Sequence, residues 1–106
     1  MSTIVLVDEE PALVEILGMV LEGDGHEVRR ATTRASALRL IAHARPQVIV
    51  CSDVALISLV RARVELADVM IVLLVDDLGI SSIAPAVHVI AKPVILSELL
   101  GLVRQG

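Results

Sequence analysis

Short apolar segments alternate along this chain with longer segments whose apolar residues recur at helical spacing. Four of the short segments are nearly continuous runs rich in Val, Ile and Leu, namely Thr3–Val7, Val48–Cys51, Val69–Val75 and Val87–Ala91. Runs of this kind are typical of parallel strands that are buried on both faces of a sheet. His26–Arg30 predicts a further short strand.

The segments between these strands favour helices. Pro11 suits the first turn of a helix that should end at Gly23-Asp24-Gly25, and Thr32 or Thr33 can cap a second helix. The remaining helical segments are Ile57–Leu66 and Leu96–Arg104, with at most one turn in Gly79–Pro85. This alternation of strands and helices predicts an α/β fold with a doubly wound parallel sheet.

Polar residues follow the predicted strands directly. Asp8 and Glu9 come after the first strand, Asp53 after the third and Lys92 after the fifth. Because the carboxyl ends of parallel strands share one edge of the sheet, we expect these four side chains to converge. Crowded carboxylates favour a divalent cation, and the lysine favours an anion nearby. In the structural alternative, the same carboxylates only cap the segments that follow them.

Composition narrows the classes of function. The chain has 106 residues, a net charge of −4, a pI near 5.2 and no aromatic residue. This length predicts a single domain over residues 1–106, and the acidic balance argues against nonspecific nucleic-acid binding. We interpret Arg29, Arg30 and Arg34 as solvated charges. The lone Cys51 fits a buried position in a reducing compartment. No apolar run approaches the roughly 18 residues of a membrane span, so we expect a cytoplasmic protein that does not contact a membrane.

Four pieces of the chain, taken in order, resemble the receiver domain of two-component response regulators, the CheY-like family. These pieces are IVLVDEEPALVEIL, GDGHEV, VIVCSDV and VIAKPVILSELLGLVR, and together the resemblance covers essentially the whole chain. It implies a flavodoxin-like sheet of five parallel strands in the order 2-1-3-4-5, with helices on both faces. It also implies a cis peptide bond between Lys92 and Pro93.

The resemblance assigns roles to the polar residues at the strand ends. Asp53 matches the aspartate that accepts a phosphoryl group from a histidine kinase, and Lys92 matches the lysine that contacts this group. Asp8 and Glu9 match the acidic pair that binds Mg²⁺, and the implied metal ligands are Asp8, Glu9, Asp53 and the carbonyl of Ala55. Phosphoryl transfer depends mostly on positioning and charge stabilisation. The resemblance therefore implies, at most, a domain that catalyses the transfer of a phosphoryl group to its own aspartate, and not a conventional enzyme.

Several positions depart from the family pattern. Leu74 stands where the family has Thr or Ser at the end of the fourth strand, and Val89 replaces the switch aromatic of the fifth. Val54–Ser58 replaces the usual loop after the acceptor. Pro46 precedes Asp53 by seven residues, one more than usual, so an ungapped register would put Ser52 at the acceptor position. We favour Asp53 because Ser-Asp-Val matches the family locally.

Two functions follow from these matches and departures. The first is a functioning receiver that accepts a phosphoryl group on Asp53, in the presence of Mg²⁺, from a sensor histidine kinase or a phosphotransfer protein. The second is a degenerate receiver that binds its partner independently of phosphorylation. In either case the expected contact with a downstream protein, or with a second copy, is the surface from the fourth strand to the last helix.

Overall fold

Five parallel strands form one sheet in the described part of the chain. The computed structural model describes residues 2–76 and 87–106. The strands are β1 (Thr3–Val7), β2 (Glu27–Ala31), β3 (Val48–Cys51), β4 (Met70–Val75) and β5 (Val87–Ala91). They lie in the order β2-β1-β3-β4-β5, and every neighbouring pair is parallel. The predicted fold class and strand order are confirmed.

Helices cover both faces of this sheet. Within the described ranges they are α1 (Pro11–Gly23), α2 (Arg34–Ala44), α3 (Val54–Arg61) and α4 (Leu96–Val103), with a short 3-10 turn at Val64–Leu66. Successive side chains of a strand point to opposite faces, so β1 contributes Val5 and Val7 to one core and Ile4 and Leu6 to the other. The first core lies under α2 and α3, and the second lies under α1 and α4.

The helix after β3 differs from the prediction. It begins at Val54 rather than Ile57, because the Asp53 carboxylate accepts a hydrogen bond from the backbone N–H of Ala55 and caps the first turn. It ends at Arg61, whose guanidinium donates to the carbonyls of Leu66, Ala67 and Val69. These bonds fix the turn that leads into β4, so the predicted single helix is divided in two.

The other boundaries agree with the prediction to within one residue. β1, β3 and β5 have the predicted limits, whereas β2 is displaced by one residue and β4 begins at Met70. The last helix ends at Val103 instead of Arg104. The single turn predicted for residues 79–85 lies outside the described residues. In residues 2–76 and 87–106, no helix is long and apolar enough to cross a membrane.

Candidate functional site

A buried ion pair joins the ends of β1 and β5. The side chain of Asp8 is 1% exposed, and its Oδ2 accepts a hydrogen bond of 2.9 Å from Lys92 Nζ. Its Oδ1 accepts a second bond, also 2.9 Å, from the backbone N–H of Glu10. The backbone of Lys92 is fixed in turn, because its backbone N–H donates a hydrogen bond to the carbonyl of Val75. The peptide bond between Lys92 and Pro93 is cis, as predicted.

The pKa values of this pair favour the charged forms. Burial by itself raises the pKa of Asp8, but hydrogen bonds from Lys92, the Glu10 backbone and the Ser52 hydroxyl outweigh burial and lower that pKa. Burial likewise opposes the charge of Lys92, yet the Asp8 carboxylate raises the pKa of Lys92 above its usual value. The pair is therefore ionised over the neutral pH range.

Asp53 is engaged by a different cation. The Arg34 guanidinium donates from Nε to Asp53 Oδ2 at 2.6 Å and from Nη2 to Oδ1 at 3.2 Å. The backbone N–H of Ala55 donates to the same Oδ1 at 3.0 Å. The hydrogen bonds from Arg34 are the main reason that the pKa of Asp53 is lowered. The carboxylate thus caps α3 and holds the first residue of α2 at the same time.

Of the four residues predicted to converge at this edge, Asp8 and Lys92 are paired with each other, whereas the Asp53 carboxylate is bonded to Arg34. In the parallel register Val7 is paired with Cys51, so Ser52 follows β3 at the level where Asp8 follows β1. The Ser52 side chain lies close enough to Asp8 to lower the pKa of that carboxyl.

Two cavities open at this edge of the sheet. Glu9 and Ser52 line both of them. Asp53 lines the cavity of about 420 Å³ next to α2, whereas Lys92 lines the cavity of about 250 Å³ next to β4.

The predicted magnesium ligands do not fit an ion in this arrangement. Mg²⁺ requires near-octahedral coordination by oxygen atoms, but in residues 2–76 and 87–106 no three His, Cys, Asp or Glu side chains are grouped closely enough to hold a metal. The carboxylates of Asp8 and Asp53 are each turned to a cationic side chain. Ala55 lies in the first turn of α3, where its carbonyl points along the helix and away from this edge.

The two positions of the family switch carry aliphatic side chains. Leu74 is 1% exposed and packs in the core under α1 and α4, although it also lines the cavity that Ser52 and Lys92 share. Val89 on β5 is 36% exposed. Neither residue carries a hydroxyl group or a ring, so neither can form the hydrogen bond or the two-position packing expected of the switch.

Sequence reasoning missed the part played by Arg34. It was grouped with Arg29 and Arg30 as a solvated charge, and its guanidinium is indeed half-exposed. A usable signal was its position, because α2 begins at the same edge of the sheet where β1 and β3 end. Cys51, by contrast, lies where predicted: burial raises the pKa of its thiol to about 11, which leaves it unreactive.

Comparisons with known proteins agree with the fold. No protein-family model matches the chain, and no curated protein matches it by sequence. Among solved structures it is similar to a candidate response regulator from Chloroflexus aurantiacus, with a TM-score of 0.86, 26% identity and coverage of 98% of this chain and 95% of that one. The chemotaxis response regulator CheY4 of Vibrio cholerae gives 0.85 and 20%, with coverage of 99% and 98%.

A third neighbour is the signal receiver domain of a signal transduction histidine kinase from Syntrophus aciditrophicus, with a TM-score of 0.82, 24% identity and coverage of 99% and 89%. The resemblance inferred from the sequence is therefore confirmed at the level of the fold: this chain folds as a receiver domain over nearly its whole length.

Proposed function

We propose that this chain is a degenerate receiver, a protein-interaction module that binds its partner without being phosphorylated. The observation that carries the proposal is the engagement of Asp53, whose two carboxylate oxygens receive three hydrogen bonds from Arg34 and Ala55. A nucleophilic carboxylate must present a free oxygen to the phosphoryl group. Here the oxygens hold two helices in place.

The surroundings of Asp53 support the same proposal. A phosphoryl group adds negative charge, and its transfer depends on a cation that neutralises the crowded oxygens. Lys92, the single lysine of the sequence, is already paired with Asp8 at 2.9 Å. Leu74 and Val89 offer no two-state element for a phosphate to bias, so phosphorylation would have little conformational effect.

The partner surface that we propose is the apolar face formed by β5 and the start of α4. Val89, Ile95 and Leu96 are large apolar side chains that are 36%, 56% and 39% exposed there. Exposed apolar side chains at the edge strand and at the start of the last helix favour a protein partner, either a downstream protein or a second copy of this chain. The net charge of −4 gives no reason to propose a nucleic acid.

The second candidate is a functioning receiver, and one observation favours it. Arg34 lowers the pKa of Asp53 and so keeps it ionised, and a cavity of about 420 Å³ lies beside the carboxylate. If Arg34 swings away, Asp53 becomes an ionised acceptor for a phosphoryl group from a histidine kinase or a phosphotransfer protein, with Mg²⁺ as the required cation.

Labelling with a small phosphodonor separates the two candidates. We expect no phosphoryl adduct by intact mass after incubation with acetyl phosphate and Mg²⁺, because both oxygens of Asp53 are hydrogen-bonded to Arg34. The control is Asp53→Asn under the same conditions. An adduct on the wild-type chain that disappears in Asp53→Asn would establish the functioning receiver and end the proposal.

A further inference from the structure

The carboxylates at the carboxyl edge are neutralised by side chains of the chain itself. Asp8 is paired with Lys92, and Asp53 is paired with Arg34. We infer that Arg34 is the internal counter-ion of this edge, and that its guanidinium takes the place beside Asp53 that a divalent cation would need. This inference deepens the proposed function, on which it rests, by naming the residue that makes the site independent of metal.

The geometry of the pair explains why a metal would be excluded. A guanidinium presents its N–H groups as a planar fork, and two of them meet both oxygens of Asp53 at 2.6 and 3.2 Å. The Ala55 N–H adds a third bond to Oδ1. A cation that approached Asp53 would have to displace this fork and would meet the positive charge of Arg34 as it did so.

The local fold holds Arg34 in this position. It is the first residue of α2, directly after Thr33, whose hydroxyl accepts a hydrogen bond from the Ser36 N–H and fixes the start of the helix. The guanidinium therefore projects from a defined helix end into the cavity that Glu9, Ser52 and Asp53 line. At 51% exposure, the side chain can be exchanged without opening the core.

A melting experiment with metal alone tests the inference. Wild type, Arg34→Gln and Arg34→Lys are compared in EDTA and in MgCl₂ at about 10 mM. Arg29→Gln is the matched control, because Arg29 is also 51% exposed and paired with a carboxylate, but away from the site. We expect Mg²⁺ to leave the melting temperatures of wild type and Arg29→Gln unchanged.

In Arg34→Gln the Asp53 carboxylate loses the guanidinium with which it is paired, so Mg²⁺ should raise the melting temperature of this variant. The expected rise is about 5 °C, the order of shift that a ligand at roughly tenfold its dissociation constant gives a domain of this size. Arg34→Lys, which keeps the charge but not the fork, should respond less than Arg34→Gln. In NMR spectra of Arg34→Gln, Mn²⁺ should broaden the amide signals of residues 8–10 and 52–55 and leave the other amide signals unchanged.

Two results would overturn the inference. An equal rise in wild type and Arg34→Gln would mean that Mg²⁺ displaces Arg34 readily. No response in any variant would mean that the guanidinium is not what keeps the metal out. Neither result depends on phosphorylation, so labelling of Asp53 by acetyl phosphate would contradict the proposed function separately.

Discussion

Replacing Lys92 by Met should cost about 2–3 kcal/mol of unfolding free energy at pH 7. The change leaves the Asp8 carboxylate, 1% exposed, without its cation, and a buried charge without a partner is strongly destabilising. The estimate lies below the usual range for fully buried pairs because the Lys92 side chain is 23% exposed. Urea denaturation of both proteins measures the difference.

As the pH falls, the loss in Lys92→Met should begin to shrink above pH 3.8 and should be largely gone below the folded-state pKa of Asp8 in the wild type. In the wild type the pKa of Asp8 is lowered from 3.8, so its favourable contribution is present above that pH and is lost as the pH falls through the folded-state pKa. In the variant, burial without the Lys92 ammonium raises the pKa of Asp8. Protonation then removes the unpaired buried charge. Arg104→Met, which breaks an exposed pair with Asp24, is the control and should cost much less. A loss in Lys92→Met that stays constant from pH 7 to pH 3 would mean that Asp8 is not its cause.

Replacing Leu74 by Thr, which restores the hydroxyl of the family pattern, should cost about 2–4 kcal/mol. Leu74 is fully buried in the core under α1 and α4. The shorter side chain leaves a cavity there, and the hydroxyl has to be removed from water. Chemical denaturation again measures the effect.

Leu74→Met is the matched control, because it nearly conserves volume and should cost less than about 1.5 kcal/mol. A Leu74→Thr variant as stable as the wild type would show that the site at the end of β4 still accommodates a hydroxyl. Leu74 would then be a single substitution in a core that still accepts the side chain of the family pattern, and not part of a repacked core.

The strands were predicted well because a strand that is buried on both faces has an almost continuous run of apolar residues. β1, β3 and β5 were located to the residue, since each is an apolar run that stops at a polar residue. The start of α3 was not, because it depends on one side-chain cap, and hydrophobic spacing carries no information about Asp53 as a cap. The division of that helix depends in turn on hydrogen bonds from Arg61 to backbone carbonyls five to eight residues away.

The site was predicted less completely than the fold, and the reason is one of register. The sequence placed Lys92 at the same edge as Asp8, and the structure joins the two as an ion pair. It did not show whether Ser52 or Asp53 would face Asp8, because a difference of one residue after β3 reverses the direction of the side chain. The contact of Arg34 with Asp53 depends on the junction between β2 and α2 lying beside the junction between β3 and α3. No local sequence motif indicates this.

The central claim is that this receiver fold does not switch on phosphorylation. Its most direct test is to measure partner binding or self-association with and without beryllofluoride and Mg²⁺, which mimic a phosphoryl group on Asp53. Because Asp53 is held by Arg34 and the switch positions are Leu74 and Val89, we predict less than a tenfold change in the dissociation constant. A change of tenfold or more, about 1.4 kcal/mol of coupling, would contradict the claim and show that the chain responds through another element.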